Sequence, residues 1–231
     1  MNLQNPKKFK LLIDQAHQVA INVLRPISRK YDKAEHSYPK ELDMLASLVD
    51  GMNEGGEGMN AGAAVGKRGT NEQGNKNGVN LSTALSVIEM CYGDTALLLS
   101  MPRQGLGNSA IAAVANEEQL ERFKNTWAAM AITEPNCGSD SAAIRTTATK
   151  DGYDYILNGE KIFVTSGERA DAIVVWATLD KKLGRSAIKS FVIPKGTAGM
   201  TVERLEHKLG VKASDTAVIR LIDCRVPANN L

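Results

Sequence analysis

Cysteine and histidine are both scarce in this sequence, and neither residue type is clustered. The three cysteines are odd in number and widely separated, which fits neither a disulfide framework nor a zinc site; they are Cys91, Cys137 and Cys224. The three histidines also lack a spacing typical of metal ligands. We therefore expect no bound metal, and a chain that functions in the reducing cytoplasm.

Long apolar runs and an excess of charge of one sign are missing as well. No run approaches the roughly 20 apolar residues that span a bilayer, and Asp14 interrupts the short apolar stretch after the basic N-terminal residues. We predict neither a membrane span nor a signal peptide. The 28 basic and 26 acidic residues are interspersed and leave a formal net charge of +2. This balance argues against a nucleic-acid partner, which would require basic residues clustered on one face.

Before residue 130 the apolar residues follow a helical period. In residues 9–23 they recur at spacings of three and four, which is typical of one face of an amphipathic helix. Pro26 falls inside this pattern and should kink or end the helix. A second helix is predicted to start at Pro39, with Gly51 as a plausible C-terminal cap.

The next segment is rich in glycine. Nine of the 28 residues in 51–78 are glycine, a composition that favours a mobile surface loop. Helical periodicity returns over residues 80–101, and Asn116 is expected to open another short helix. Residues 105–110 match the G-x-G-x-x-A dinucleotide fingerprint, but no strand precedes them, so we predict a tight loop between two helices instead.

After residue 130 the pattern becomes that of β-strands. A strand over residues 153–157 should turn at Asn158-Gly159 into a partner strand over residues 161–165. Further short strands are expected over residues 173–177, 190–194 and 217–222. The predicted fold class is α+β with two domains: an all-α N-terminal domain, residues 1–129, and a small antiparallel β-barrel or sandwich, residues 130–231. This order of domains implies no function by itself.

Residues 131–140, AITEPNCGSD, carry the strongest chemical signal in the sequence. They form a turn or loop dense in hydroxyls, in which Gly138 would allow the close approach of a ligand. The amides of Gly138 and Ser139, with the Ser139 hydroxyl, could bind a phosphate. The alternative is a capped turn that leads into a strand.

This segment resembles the signature of the acyl-CoA dehydrogenase family, A-[aliphatic]-T-E-P-x-x-G-S-D. Four further segments resemble family motifs in the same order along the chain: residues 158–166, 191–199, 208–216 and 225–231. Cys137 departs from the pattern, since the family usually has a small residue there.

The resemblance implies that FAD is the cofactor, with its isoalloxazine ring against the β domain. The cofactor-binding positions that it implies are Met130, Ile132, Thr133, Gly138, Ser139, Phe163, Val164 and Thr165. Phe163 takes the place of the aromatic residue that packs on the flavin, and the Thr165 hydroxyl lies near flavin N5. Ser139 also matches a contact to the CoA arm of the substrate. The acyl chain would enter the helical domain near Leu97, Leu98, Leu99 and Met101, for which a generic core role is the alternative.

The reaction that the resemblance implies is the α,β-dehydrogenation of an acyl-CoA thioester to the 2-enoyl-CoA, as in fatty acid β-oxidation. The family's catalytic base is a glutamate in a third, all-helical domain that is absent from this sequence. We therefore assign no catalytic residue, Glu134 included, and expect the chain alone to be inactive. The implied partners are an acyl-CoA substrate, an electron-transfer flavoprotein or similar acceptor, and further copies of the full-length chain.

Two alternatives to a dehydrogenase stay open. An acyl-CoA oxidase or a nitroalkane oxidase relative would share these motifs and differ mainly in the missing domain and in oxygen access. A non-catalytic module that binds flavin or CoA is a hypothesis from another class.

Overall fold

The computed structural model describes residues 7–54, 79–102 and 105–231. They form two compact units. One comprises residues 7–54, 79–102 and 208–214, and the other comprises residues 105–207 and 215–231. The division thus falls near residue 103, whereas the sequence placed the domain boundary at residue 129. No described helix is long and apolar enough to cross a membrane.

The first unit is helical. Its helices are α1 (Lys10–Val19), α2 (Arg25–Lys33), α3 (Glu41–Glu54) and α4 (Val79–Leu99), and a π-helical segment (Ala20–Leu24) joins α1 to α2. Leu24, Leu42 and Leu97 are fully buried and form the centre of its core. Helix α3 continues through Gly51 to Glu54, so the prediction of a C-terminal cap at Gly51 was wrong. The rest of the predicted glycine-rich loop lies outside the described residues.

Pro26 does not end the helical run, which continues through it in α2, so that part of the prediction was wrong. The π-helical segment Ala20–Leu24 precedes it, and the Arg25 amide donates to the Ala20 carbonyl five residues earlier. This wider turn accommodates a residue that lacks an N–H. The segment also lies against α4, where a Cβ on Gly93 would come within 2.7 Å of the Ala20 carbonyl oxygen.

The short segment 208–214 belongs to the helical unit, although strands of the other unit flank it in sequence. Ala213 is buried in the helical core, and its carbonyl accepts a hydrogen bond of 2.9 Å from the Ser100 hydroxyl. The Lys208 amide donates to Glu35 Oε1 at 2.9 Å. These contacts fix both ends of the segment to the turns that follow α2 and α4, which are far away in sequence.

The second unit contains, among the described residues, a seven-stranded sheet and two helices. The strands are β1 (Ala128–Ala131), β2 (Thr147–Asp151), β3 (Asp154–Thr165), β4 (Ala172–Thr178), β5 (Ile188–Pro194), β6 (Met200–Leu205) and β7 (Thr216–Pro227). Their order is β1-β4-β2-β3-β7-β6, and β5 also pairs with β4. Strand β4 runs parallel to β1 and to β2, so the sheet is mixed rather than purely antiparallel. The α+β class, helices first and strands after, is confirmed.

Helices α5 (Gly105–Val114) and α6 (Glu117–Phe123) pack with this sheet. Asn116 caps α6 through reciprocal hydrogen bonds with Gln119. The G-x-G-x-x-A segment opens helix α5 rather than forming the loop that we predicted. Its second glycine, Gly107, lies so close to β1 that a Cβ would come within 2.4 Å of the Ala128 carbonyl oxygen. The motif therefore serves helix–sheet packing.

The Asn158-Gly159 pair is not a hairpin turn. Strand β3 runs through it without a break, and the turn between β2 and β3 lies at residues 152–153. Opposite Asn158 the register with β7 shifts, and Asp223 adopts a positive φ of 47°. A Cβ on Gly159 would lie 2.4 Å from Thr146 Oγ1. Glycine is needed here for close approach between segments and not for chain reversal.

Candidate functional site

The signature segment begins where strand β1 ends and forms a tight turn. The amide of Glu134 donates to the Cys137 carbonyl at 2.9 Å, and the Cys137 amide donates back to the Glu134 carbonyl at 3.1 Å. Pro135 and Asn136 lie exposed at the tip, while Glu134 and Cys137 are buried. The turn thus presents its tip to solvent and directs the Glu134 side chain into the protein.

Glu134 and Lys161 form a buried ion pair. Lys161 Nζ lies 2.7 Å from Glu134 Oε1, and the two side chains are 0% and 6% exposed. The same ammonium donates to the Ile132 carbonyl at 2.9 Å. Lys161 lies in the middle of β3, so the pair connects the signature segment directly to that strand.

The Glu134 carboxylate is also bound to the segment before β2. Its Oε2 accepts from the Arg145 amide at 2.6 Å, and its Oε1 accepts from the Thr146 amide at 3.0 Å and the Thr146 hydroxyl at 2.6 Å. Burial alone would raise the pKa of Glu134, but the hydrogen bonds from Lys161, Thr146 and the two amides hold it below its ordinary value. A carboxylate this fully occupied is suited to holding structure and not to removing a substrate proton.

Thr133 and the end of β3 lie side by side. The Ile162 amide donates to the Thr133 carbonyl at 2.9 Å, which places Thr133 beside the residue that precedes Phe163. Gly138 is on the same side of the turn, since a Cβ there would lie 3.8 Å from Thr133 Cγ2. The structure therefore brings together the signature segment and the end of β3, as the resemblance implies.

Phe163 is the extra residue of a bulge in β3. The register with β7 shifts between Lys161 and Val164, and Phe163 has a positive φ of 58°. Bulky residues rarely adopt this backbone conformation, and where they do the strain often marks a functional site. The bulge leaves the Phe163 side chain 61% exposed, whereas Val164 is 1% exposed and packs in the sheet core.

The turn after β3 is held by a second set of buried charges. The Ser166 amide donates to the Asp215 carbonyl at 3.1 Å, and the Glu168 amide donates to Asp215 Oδ2 at 2.9 Å. Arg169 Nε lies 3.6 Å from Asp215 Oδ1, with side-chain exposures of 6% and 0%. Asp215 lies at the start of β7 beside the half-buried Thr165, so it fixes the strand end that carries Thr165.

The remaining predicted site residues are distributed over both units. Met130 is half-buried in β1 opposite Val174, and Ser139 is exposed. In the helical unit Leu97 is fully buried in the core, Leu98 and Leu99 are half-buried, and Met101 packs against the core cluster. The sequence reasoning missed Lys161, Thr146, Arg169 and Asp215. The available signal was a lysine directly before the apolar residues 162–164 of β3.

The comparisons with known proteins agree with this geometry. Residues 129–224 match the acyl-CoA dehydrogenase middle domain. The whole chain is 30% identical to the acryloyl-CoA reductase (NADH) of Anaerotignum propionicum, of which it spans 57%. It is 31% identical over its whole length to the short-chain specific acyl-CoA dehydrogenase of Clostridium acetobutylicum, of which it spans 59%.

A solved structure shares both the helical and the strand-rich parts. A glutaryl-CoA dehydrogenase of Mycobacterium smegmatis, in complex with FADH2, matches 98% of this chain with a TM-score of 0.76 and 25% identity, and the chain covers 55% of it. The chain therefore spans less than two thirds of each of these three proteins. Residues 129–224 therefore match the middle domain of the acyl-CoA dehydrogenases, and the whole chain is similar to members of that family.

Proposed function

We propose that the protein binds FAD on the strand-rich unit and takes part in the α,β-dehydrogenation of an acyl-CoA thioester. The observation that carries this proposal is Phe163. Strand β3 takes a left-handed backbone conformation at this residue, which is 61% exposed. The strained backbone and the exposed ring both lower the stability of the fold. A flat apolar group that covers the ring would compensate for this loss.

The residues around Phe163 fit an isoalloxazine ring. Ile132 and Thr133 lie beside β3 and offer one apolar and one hydrogen-bonding side chain. Thr165 is two residues further along the strand and half-buried, and we assign its hydroxyl to flavin N5. Gly138 leaves room for a close approach, and we assign its amide and that of Ser139 to the pyrophosphate. When bound, FAD would accept a hydride from the substrate β-carbon.

We assign the catalytic base to no residue of this chain. Glu134 is the acid of the signature, but its oxygens are taken by Lys161, Thr146 and the Arg145 amide. The proposed role of this chain is to bind and orient the flavin and the CoA arm. Leu98, Leu99 and Met101 are the proposed contacts for the acyl chain, because they are not fully buried. Leu97 is better explained as core, since its side chain is inaccessible.

Hydride transfer between flavin and substrate can run in either direction at such a site. One relative that is 30% identical is named as an acryloyl-CoA reductase, which acts in the opposite direction to a dehydrogenase. We propose the oxidative direction, with an electron-transfer flavoprotein as acceptor. The test adds the family's third domain to supply the base. Anaerobic mixing of the oxidised, FAD-loaded protein with a short acyl-CoA then tests the oxidative direction through loss of the visible flavin band, and mixing of the reduced protein with the matching enoyl-CoA tests the reverse through its return.

Flavin titration tests the binding proposal. Phe163→Ala should weaken FAD binding about tenfold, the loss expected when one stacking contact is removed. Tyr153→Ala is the matched control, because Tyr153 is 94% exposed in the same unit and has no assigned role. Equal affinity of wild type and Phe163→Ala, or an equal loss in both variants, would refute the proposed site.

A further inference from the structure

We infer that Glu134 and Lys161 are a positioning pair for the cofactor: they turn the Thr133 amide outward and hold it in place against β3. This inference rests on the proposed function, because it assigns that amide to the flavin. It concerns two side chains that are almost fully buried, at 0% and 6% exposure.

The direction of the Thr133 amide follows from the Lys161 contact. Lys161 Nζ donates to the Ile132 carbonyl at 2.9 Å. In a trans peptide the carbonyl and the following N–H point in opposite directions. The Thr133 N–H therefore points away from Lys161, and no acceptor within the described residues receives it. An ammonium buried beneath the segment thus leaves one backbone donor available to a ligand.

The position of this amide is fixed as well as its direction. The Thr133 carbonyl accepts from Ile162, so two successive carbonyls of the segment are held on the side of β3. Glu134 in turn bonds Lys161, Arg145 and Thr146. One carboxylate thereby ties together the signature segment, the start of β2 and the middle of β3.

The cost of the pair supports a positioning role. Two charges that are 0% and 6% exposed have lost nearly all their hydration, and an apolar pair of similar volume is often as stable or more stable in such a place. An apolar pair, however, could not donate a hydrogen bond to the Ile132 carbonyl, as Lys161 does. Lys161 is inaccessible to substrate, so it acts through Ile132 and Thr133 and not on the reacting atoms.

The test uses Glu134→Gln, Lys161→Met and the double variant. Glu134→Gln keeps the shape and one oxygen acceptor, so it should fold even if Lys161→Met does not. Arg225→Gln is the control, because it breaks an exposed ion-pair cluster with Asp151 and Asp154 in the same sheet. Two readouts are needed: amide hydrogen exchange at Arg145, Thr146 and Ile162, and FAD affinity with its bound visible spectrum at equal folded fraction.

We expect faster exchange at those three amides in Glu134→Gln and Lys161→Met, while amides of β4 and β5 stay unchanged. We also expect FAD affinity to fall about tenfold, the effect of one misplaced hydrogen bond, with a shifted bound spectrum. The control should show neither change. Local loosening with unaltered FAD affinity and spectrum would overturn the inference and leave the proposed function intact. Absence of FAD binding to the wild type would overturn both.

Discussion

Asn158 and Asp223 exchange two hydrogen bonds across strands β3 and β7. The Asn158 amide nitrogen Nδ2 donates to Asp223 Oδ1 at 3.1 Å, and the Asp223 backbone N–H donates to Asn158 Oδ1 at 2.8 Å. The bonds bridge the point where the register of the two strands shifts. At this point β7 has one more residue than β3 between the paired positions, and the bulge that exposes Phe163 lies further along β3.

Gly159→Ala should destabilise the protein by about 1–3 kcal/mol, because its Cβ would clash with Thr146 and overpack the site. Gly159 has a φ of 157°, and the Thr146 hydroxyl and Cβ lie 2.4 and 2.7 Å from the added atom. Gly152→Ala is the comparison, because Gly152 has a φ of 61° and open space around the added Cβ. This variant should lose only about 1–2 kcal/mol of stability, the cost of a left-handed backbone conformation for a residue with a Cβ. Chemical denaturation measures both. A smaller cost at Gly159 than at Gly152 would contradict the close approach.

Lys161→Met should be the most destabilising single change at the buried pair. It leaves the Glu134 carboxylate without its counter-ion in a site 6% exposed, and removal of one partner of a buried pair costs about 3–5 kcal/mol. Adding Glu134→Gln removes the uncompensated charge, so the double variant should recover about 1–3 kcal/mol. Denaturant titration of the wild type and the three variants gives the coupling free energy. Additive effects would show that the two side chains are independent.

The acid stability of the protein should depend on Glu134. Its pKa in the folded protein lies below the ordinary value of 4.5, so the folded state binds this proton less readily than the unfolded state. The stability that it contributes is present above pH 4.5 and is lost as the pH falls through the lower folded pKa.

Melting temperatures from neutral to acid pH measure this dependence. Glu134→Gln should be less stable at neutral pH and should lose less stability on acidification than the wild type. Glu203→Gln is the control: hydrogen bonding to Arg220 also lowers the pKa of Glu203, but the pair is exposed to solvent, which screens it. Parallel acid profiles of the wild type and Glu134→Gln would contradict the prediction.

Gly138→Ala separates folding from ligand binding. A Cβ at this position meets only Thr133 Cγ2 at 3.8 Å, which is ordinary contact, so the melting temperature should stay within about 2 °C of the wild type for a change below 0.5 kcal/mol. If the phosphates of FAD or CoA approach this backbone, the added methyl group should weaken their binding about tenfold. Calorimetric titration with FAD and with CoA identifies the affected ligand. Unchanged affinity for both would place the phosphates elsewhere.

The strands were predictable from the sequence because the alternation of apolar residues along a strand is a local property. Ile173 to Ala177 reads as a buried strand in any context, and β4 forms there. The conformation of Asn158-Gly159 could not be predicted in this way, because it depends on contacts with other segments. Thr146 packs against Gly159 and Asp223 bonds to Asn158, and the pair lies within a strand instead of forming a turn. The parallel pairing of β1 with β4 likewise depends on distant residues.

The proposed flavin-site positions rest on motifs alone. What the motifs did not reveal is how the segment is supported, because Glu134 and Lys161 are 27 residues apart and meet only in the folded sheet. The left-handed conformation of Phe163 was equally hidden, since nothing in the sequence distinguishes it from a regular strand residue. Pro26 is the opposite case. Its local signal predicts a helix end, but the π-helical turn before it allows the helical run to continue.

The excursion of residues 208–214 has a consequence for folding cooperativity. Strand β6 pairs along its length with the first part of β7, yet the segment between the two strands is anchored to Glu35 and Ser100 of the helical unit. The chain consequently enters the helical unit a second time before the sheet is complete. No single cleavage of the backbone yields both units whole, because the segment between β6 and β7 packs in the helical core. The two units should therefore melt in one transition, although each has a core of its own.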